Sequence, residues 1–176
     1  MTLFHASQRT PDKEEIEHVL AQASKHSTFQ VVYVHWGIEY DMTHSTAQRE
    51  LAETFVDAGA DLIVGHHPHV TQDIDIIKGV VVVYSPGILT FVQYASSPVH
   101  RRLLVGLAFK GDLPLTLTPV TSKETLSQPT YMKPKEHQLF LENLANRSHP
   151  SLREKITSGS IPLLDTVATS TKVAMM

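Results

Sequence analysis

Residues 61–69 read Asp-Leu-Ile-Val-Gly-His-His-Pro-His, an apolar run that ends in a glycine and three histidines. The segment 61–64, apolar after Asp61, predicts a short buried strand, and the histidines follow its carboxyl end. Upstream, 29–34 is a second β-branched and aromatic run, and His35 follows it directly. A helix predicted between the two strands makes a βαβ unit with parallel strands. In such folds ligand sites collect beyond the carboxyl ends of the strands.

The elements around this unit follow from hydrophobic periodicity and turn residues. The helix inside it is expected at about 45–58, with Ser45 as N-cap and Gly59 at the C-cap position. Residues 147–176 are rich in Ser and Thr with little periodicity, which predicts a poorly ordered tail. The other expected elements are helices at 11–26 and 135–146 (the latter with Leu139, Phe140 and Leu144 on one side), strands at 73–77, 80–84, 103–109 and 114–120, and turns at 78–79 and 110–112.

Composition limits the chemistry. The 176 residues fit one domain, and a net charge of −3 gives no reason to expect a nucleic-acid partner. There are eleven histidines and no cysteine, so a metal would be held by imidazole and oxygen ligands, which suit Mn, Zn or Fe. The N-terminus has no signal-peptide pattern, and the longest apolar run, 79–84, is too short to span a bilayer. The chain as written is therefore expected to carry no anchor.

The histidine cluster predicts a metal site. His67 and His69 are two residues apart, so on an extended segment their rings would point the same way. Pro68 favours extended geometry at His67. His66 would point to the other side, where it could contact substrate or orient a ligand. The alternative, a surface loop that happens to contain histidines, is less consistent with a cluster at the end of a buried strand.

His35 and Glu39 are candidates because of where they fall. His35 ends the neighbouring parallel strand, about 5 Å away, so its ring could share an ion with His67 and His69. Taken alone, a histidine after an apolar strand is more often a core residue. Glu39 could be a metal ligand, a partner of a ligand or a general base.

Four blocks resemble the CapA family, named for poly-γ-glutamate capsule biosynthesis and built on the calcineurin-like metallophosphoesterase architecture. They are Val-His-Trp-Gly-Ile-Glu-Tyr at 34–40, Gln-Arg-Glu-Leu-Ala at 48–52, the segment 57–70 that contains the histidine cluster, and Val-Tyr-Ser-Pro-Gly at 83–87. The resemblance covers about 30–94 and implies an α/β fold. This would be a partial αββα sandwich, its C-terminal half, with a βαβ unit followed by mostly antiparallel strands and a C-terminal helix. The implied domain spans 1–146.

The resemblance also implies roles for particular residues. The resemblance implies a dinuclear centre of divalent metals, in which His35 resembles the single ligand histidine after a central strand and His67 and His69 resemble the closing His-x-His pair. The family's Gly-Asp, Asn-Leu-Glu and Asn-Asn-His segments do not occur in this chain, and Ile88 and Val92 stand where Asn and Asp are usual. The three histidines could hold one metal, with Glu39 and His66 as catalytic candidates.

Some polar residues have a second interpretation. Arg101 and Arg102 could bind a phosphate or a polyanion, or could be a surface pair. Asp73 and Asp75 alternate with isoleucines and are expected on a solvated strand edge. Six further histidines are expected on the surface, namely His5, His18, His26, His44, His137 and His149.

Three interpretations of function remain open. The chain could be a metal-dependent hydrolase of phosphoesters, or a factor that processes an anionic polymer. It could instead be a truncated, inactive family member that binds metal or a partner. It could also be a fragment that self-associates or joins a missing N-terminal half, since a sheet without its first strands leaves an apolar edge to be covered.

Overall fold

The computed structural model describes residues 2–5, 10–87, 100–109, 112–122 and 128–163. Its strands are β1 (Thr2–His5), β2 (Val31–His35), β3 (Leu62–His66), β4 (Ile74–Ile77), β5 (Val80–Val83), β6 (Arg101–Leu107), β7 (Pro114–Thr121), β8 (Thr130–Tyr131) and β9 (Ser160–Pro162). Its helices are α1 (Lys13–Ser24), α2 (Thr46–Asp57), α3 (Pro134–Arg147) and α4 (Arg153–Ser158), with a short 3-10 helix at Pro150–Leu152. None of these helices is long and apolar enough to cross a membrane.

The first sheet contains the predicted βαβ unit. Its strand order is β1-β2-β3-β5-β4, and every neighbouring pair is parallel except β4 and β5. β2 and β3, joined by α2, end at the same edge of the sheet because they run parallel. Their register pairs His35 with His66, so these two side chains lie on the same face of adjacent strands.

The second sheet is antiparallel, with β6-β7-β8 in order and β9 paired to β7. The fold is therefore mixed α/β, with one largely parallel and one antiparallel sheet. This agrees with a partial metallophosphoesterase-like fold and confirms the fold class predicted from the sequence.

Strand alternation divides the apolar residues between two cores. On one face of the first sheet, Val32 and Val34 pack with Ile16 of α1 and Phe55 of α2. On the other face, Val81 and its neighbours pack against β6, β7, α3 and α4. The edge of the first sheet that carries the histidines therefore borders the space between the two sheets.

The C-terminal segment differs from its prediction. Residues 148–163, expected in a loosely ordered tail, form the 3-10 helix, α4 and β9, and Leu152, Ile156 and Ile161 are fully buried. Each element is too short to show a hydrophobic period, so sequence pattern alone could not reveal them. Residues 164–176 lie outside the described part of the chain, as do 110 and 111 of the predicted turn.

The apolar face of α3 also differs in detail. Leu144 is buried as expected, and Leu141 and Ala145 are buried with it. Leu139 is instead 53% exposed. The helix is rotated so that positions 141, 144 and 145 face the core, which is the i, i+3, i+4 pattern of a helix with a narrow buried stripe.

Candidate metal centre

His35 and His66 are joined across β2 and β3. His35 Nδ1 lies 3.0 Å from His66 Nε2, and His66 Nδ1 lies 2.9 Å from the carbonyl oxygen of Val34. Because a carbonyl only accepts, His66 Nδ1 carries the proton. In a neutral His66, Nε2 then accepts from His35 Nδ1–H, which leaves Nε2 as the unprotonated nitrogen of His35. The hydrogen bond to His66 therefore fixes the orientation of the His35 ring.

Two backbone hydrogen bonds hold the segments after β2 and β3 side by side. Trp36 N donates to the carbonyl of His66 at 3.1 Å, and Tyr40 N donates to that of Pro68 at 2.8 Å. Glu39, which precedes Tyr40, is thereby brought next to His69, with 3.3 Å between Glu39 Oε1 and His69 Nε2. From the sequence, Glu39 was expected to be a metal ligand, a partner of a ligand or a general base, without a choice among the three.

Glu39, His67 and His69 form a cluster with metal-ligand spacing. One donor atom from each residue lies within 4.8 Å of the other two. His35 is not part of this triplet. It lies next to it, with its ring centroid 4.4 Å from that of His67. The structure thus brings together all four residues that the sequence singled out as possible ligands, with Glu39 in the central group.

The backbone of the His67–His69 segment is not extended. β3 ends at His66, and His67 and His69 have φ angles of +104° and +64°. The prediction that Pro68 and strand periodicity align the two rings is therefore wrong, although the ring centroids do lie only 5.5 Å apart. Positive φ costs a side-chain-bearing residue of order 1–3 kcal/mol and occurs most often where function requires it.

The donors fit a divalent cation. Two imidazoles and a carboxylate are nitrogen and oxygen ligands of the type that Mn, Zn and Fe accept. His69 Nδ1 is buried and has no hydrogen-bond partner among the described residues. A buried polar atom of this kind requires a further partner such as a cation or a water.

The cluster opens onto a cavity of about 450 Å³ between the two sheets. Tyr33 lies on its wall and stacks on His66, with centroids 4.5 Å apart. Strand alternation places Tyr33 on the same face as His35, so its position in the sequence is enough to indicate that it faces the cavity. The sequence left open whether Arg101 and Arg102 bind an anion or form a surface pair. Arg102 is buried and is among the residues that line the cavity, while Arg101 is exposed.

The prediction of a solvated strand edge at Asp73 and Asp75 is wrong. Asp73 is 4% exposed and accepts from the backbone N and Nδ1 of His44, at 2.8 and 2.7 Å. Asp75 is 5% exposed and pairs with Arg49. His44, expected on the surface, is half-buried and stacks on Tyr84 with centroids 4.1 Å apart. Each carboxylate is buried because a cation or an imidazole pairs with it.

The close packing behind the cluster is apolar. Trp36 is 2% exposed and donates from Nε1 to the carbonyl of Tyr84 at 2.9 Å, so it belongs to the core rather than to the pocket wall. A Cβ on Gly65 would lie 2.1 Å from Trp36 Nε1, which is why this position is a glycine. Ile88 and Val92 lie outside the described residues.

Comparison with known proteins agrees with this architecture. The family model described as "Bacterial capsule synthesis protein PGA_cap" matches residues 2–93. The chain is 44% identical over 152 residues to "PGA biosynthesis protein CapA" of Bacillus subtilis (strain 168), covering 83% of this chain and 40% of that protein. It is 54% identical over 126 residues to "Capsule biosynthesis protein CapA" of Bacillus anthracis, covering 71% of this chain and 31% of that protein.

The chain thus spans less than half the length of the curated relatives it matches. The matched region nevertheless contains the whole βαβ unit, the histidine cluster and Glu39. On the strength of that match, the chain belongs to the bacterial capsule synthesis protein family PGA_cap, the CapA family.

Proposed function

We propose that this chain binds one divalent metal ion through His67, His69 and Glu39, with His35 as a further ligand. The observation that carries the proposal is the placement of three donor atoms, from two separate loops, within 4.8 Å of one another. Ligands of a common ion lie about 2.0–2.2 Å from it and so at most about 4.4 Å apart, a spacing that small side-chain movements would reach. Mn, Zn or Fe suits these donors.

We infer that the bound metal supports hydrolysis of a phosphoester, or processing of an anionic polymer, in poly-γ-glutamate capsule biosynthesis. The pathway is suggested by the name of the Bacillus subtilis relative. A metal at this site would supply an activated water and neutralise negative charge on the substrate. His66 would hold His35 in its ligand tautomer, and Glu39 would hold the metal or accept a proton from water.

A second candidate is a family member that binds metal without turnover. It is favoured by the number of ligands, because the described residues of the cluster supply enough donors for one ion and not for a pair. Such a chain would contribute a metal-stabilised surface to a partner or to the rest of a longer protein.

Metal content and turnover separate these possibilities. The purified chain is incubated with Mn²⁺ or Zn²⁺, desalted and analysed by inductively coupled plasma mass spectrometry beside His67→Ala and a control, His18→Ala, which changes an exposed histidine of α1. We expect near-stoichiometric metal in the wild type and the control and a loss in His67→Ala. A trace amount that is the same in all three contradicts metal binding. Hydrolysis of an aryl phosphate with added Mn²⁺ supports the hydrolase, and metal binding without hydrolysis supports the second candidate.

A further inference from the structure

Tyr33 lies in the wall of the cavity beside the candidate metal centre. It comes two residues before His35 on β2, so both side chains leave the first sheet on the same face. The register pairs Tyr33 with Val64 and His35 with His66, yet the ring of Tyr33 stacks on that of His66. Tyr33 therefore contacts its diagonal neighbour on the side of the carboxyl ends of the strands, where the candidate metal ligands lie.

The stack holds the ring of Tyr33 in place. Its centroid is 4.5 Å from that of His66, and the two ring planes are only 8° apart. His66 is itself held by its hydrogen bonds to the carbonyl oxygen of Val34 and to His35. A tyrosine whose ring is already fixed on one face loses little further freedom when its hydroxyl binds a ligand, which favours binding.

The hydroxyl of Tyr33 is available to a ligand. No described residue donates a hydrogen bond to it or accepts one from it, and Tyr33 as a whole is half-buried. The hydroxyl of Tyr84 is enclosed without a partner, whereas that of Tyr33 is not enclosed. Among the described residues that line the cavity, Tyr33 has the only hydroxyl, and none has a carboxylate. A hydroxyl in this position can donate to an oxygen of a ligand.

We propose that the Tyr33 hydroxyl donates a hydrogen bond to an oxygen of the anionic group that the metal holds in this cavity. A divalent cation at the histidine cluster would attract a phosphoryl or a carboxylate group, and both carry oxygens beyond the one bound to the metal. A hydrogen bond to a charged oxygen is stronger than one between neutral groups. Tyr33 would thereby fix how the ligand is turned relative to the metal. This assignment rests on the proposed function.

Anion binding measured by isothermal titration calorimetry tests the proposal. The 176-residue chain is loaded with Mn²⁺ and titrated with inorganic phosphate and, separately, with glutarate, a dicarboxylate. The wild type is compared with Tyr33→Phe, which keeps the ring on His66, and with the control Tyr131→Phe, which removes an exposed hydroxyl from β8. We expect Tyr33→Phe to bind at least one of the two anions about tenfold more weakly, because a charge-assisted hydrogen bond is lost. Tyr131→Phe should match the wild type.

A second measurement follows the hydroxyl itself. The near-ultraviolet absorption of a tyrosine changes when its hydroxyl forms a hydrogen bond to an anion. We expect the bound anion to change this absorption in the wild type and in Tyr131→Phe, and to leave it unchanged in Tyr33→Phe. A purely structural role for Tyr33 would alter the stability of the chain without producing this signal.

Metal content is measured for each variant, so a failure of the proposed metal site is recognised separately. With metal bound, equal affinities of the wild type and Tyr33→Phe for both anions overturn the proposal, and so does a wild type that binds neither anion. An equal loss in Tyr131→Phe also overturns it. A loss confined to phosphate identifies a phosphoryl ligand, and one confined to glutarate identifies a carboxylate. If the wild type takes up no metal, anion binding that depends on Tyr33 still supports the assignment, and its absence overturns it together with the proposed function.

Discussion

His66 Nε2 lies 3.0 Å from His35 Nδ1, in a chain of hydrogen bonds that begins at the carbonyl of Val34. The chain fixes which nitrogen of His35 is unprotonated and which way its ring faces. Partners of this kind commonly alter metal affinity although they do not touch the ion.

We therefore expect His66→Phe to weaken metal binding by about 10–100-fold. Phenylalanine retains the ring that stacks on Tyr33 but cannot accept a hydrogen bond from His35. The affinity for Zn²⁺ is measured by competition with a chromophoric chelator, with His18→Phe on exposed α1 as the control. Unchanged affinity in His66→Phe would show that His35 either needs no orienting partner or is not a ligand.

Gln72 fastens the loop that carries Glu39. It is fully buried, and its Nε2 donates to the carbonyls of Asp41 and Thr43 at 3.0 and 2.9 Å. Its Oε1 accepts from Gln48 at 3.0 Å. We expect Gln72→Met to lower the free energy of unfolding by about 2–4 kcal/mol, because several polar groups lose their partners.

The same substitution should weaken metal binding, because Glu39 lies in the loop that Gln72 fastens. Denaturation in urea gives the stability, and the chelator competition gives the affinity. Gln138→Met is the matched control, since Gln138 is exposed on α3 and its Nε2 donates to the exposed Glu142. If Gln72→Met lowers stability but leaves metal affinity unchanged, the loop does not depend on Gln72 for the position of Glu39.

Local features of this fold could be predicted from sequence, and pairings between distant residues could not. Ser45 caps α2 and forms a capping box with Gln48, and Gly59 follows the helix at φ +101°, because both are decided within a few residues. The turn at Lys78-Gly79 follows for the same reason, with φ values of +49° and +88°. Such signals lie within one element and its flanks.

The pairs that were missed are far apart in the chain. His44 and Asp73 are 29 residues apart, and neither carries a local mark of its partner, so the sequence indicated a surface histidine and a solvated carboxylate. Part of the candidate metal centre was predictable, because neighbouring parallel strands end at the same edge of a sheet. That rule alone indicated that His35, His67 and His69 lie close together. The place of Glu39 depends on two hydrogen bonds between loops, and the burial of Arg102 depends on how the second sheet meets the first.

Tyr84 makes stability sensitive to alkaline pH. Its hydroxyl is buried and has no hydrogen-bond partner among the described residues. Burial raises its pKa far above the ordinary value, the nearby carboxylates, chiefly Asp75, raise it further, and Arg49 opposes them. Above about pH 10 the unfolded chain loses the tyrosine proton while the folded chain keeps it, so the free energy of unfolding falls as pH rises. Below about pH 10 this contribution is constant.

We expect Tyr84→Phe to cost little at about pH 8, or to stabilise the chain by up to about 1 kcal/mol, because an unpaired buried hydroxyl is removed. At about pH 11 the advantage of Tyr84→Phe over the wild type should grow, since phenylalanine has no proton to lose. Urea unfolding of both proteins at the two pH values measures the difference. An advantage that does not change with pH would mean that the Tyr84 hydroxyl reaches solvent.

His67 has a φ of +104°, a value that glycine adopts freely and other residues rarely adopt. Comparing His67→Gly with His67→Ala isolates this strain, because both variants lose the imidazole. We expect the metal-free glycine variant to be about 1 kcal/mol more stable than the alanine variant, the reverse of the order found in regular helices and strands. Urea unfolding in the presence of a chelator measures the two stabilities.

The same pair tests why a histidine stands there. Added Zn²⁺ should raise the melting temperature of the wild type and have little effect on either variant, because a ligand that binds only the folded chain stabilises it. The strain at His67 would then be retained for metal binding. An alanine variant as stable as the glycine variant would show that the backbone at 67 relaxes to negative φ, and the strain argument would fail even if the metal still bound.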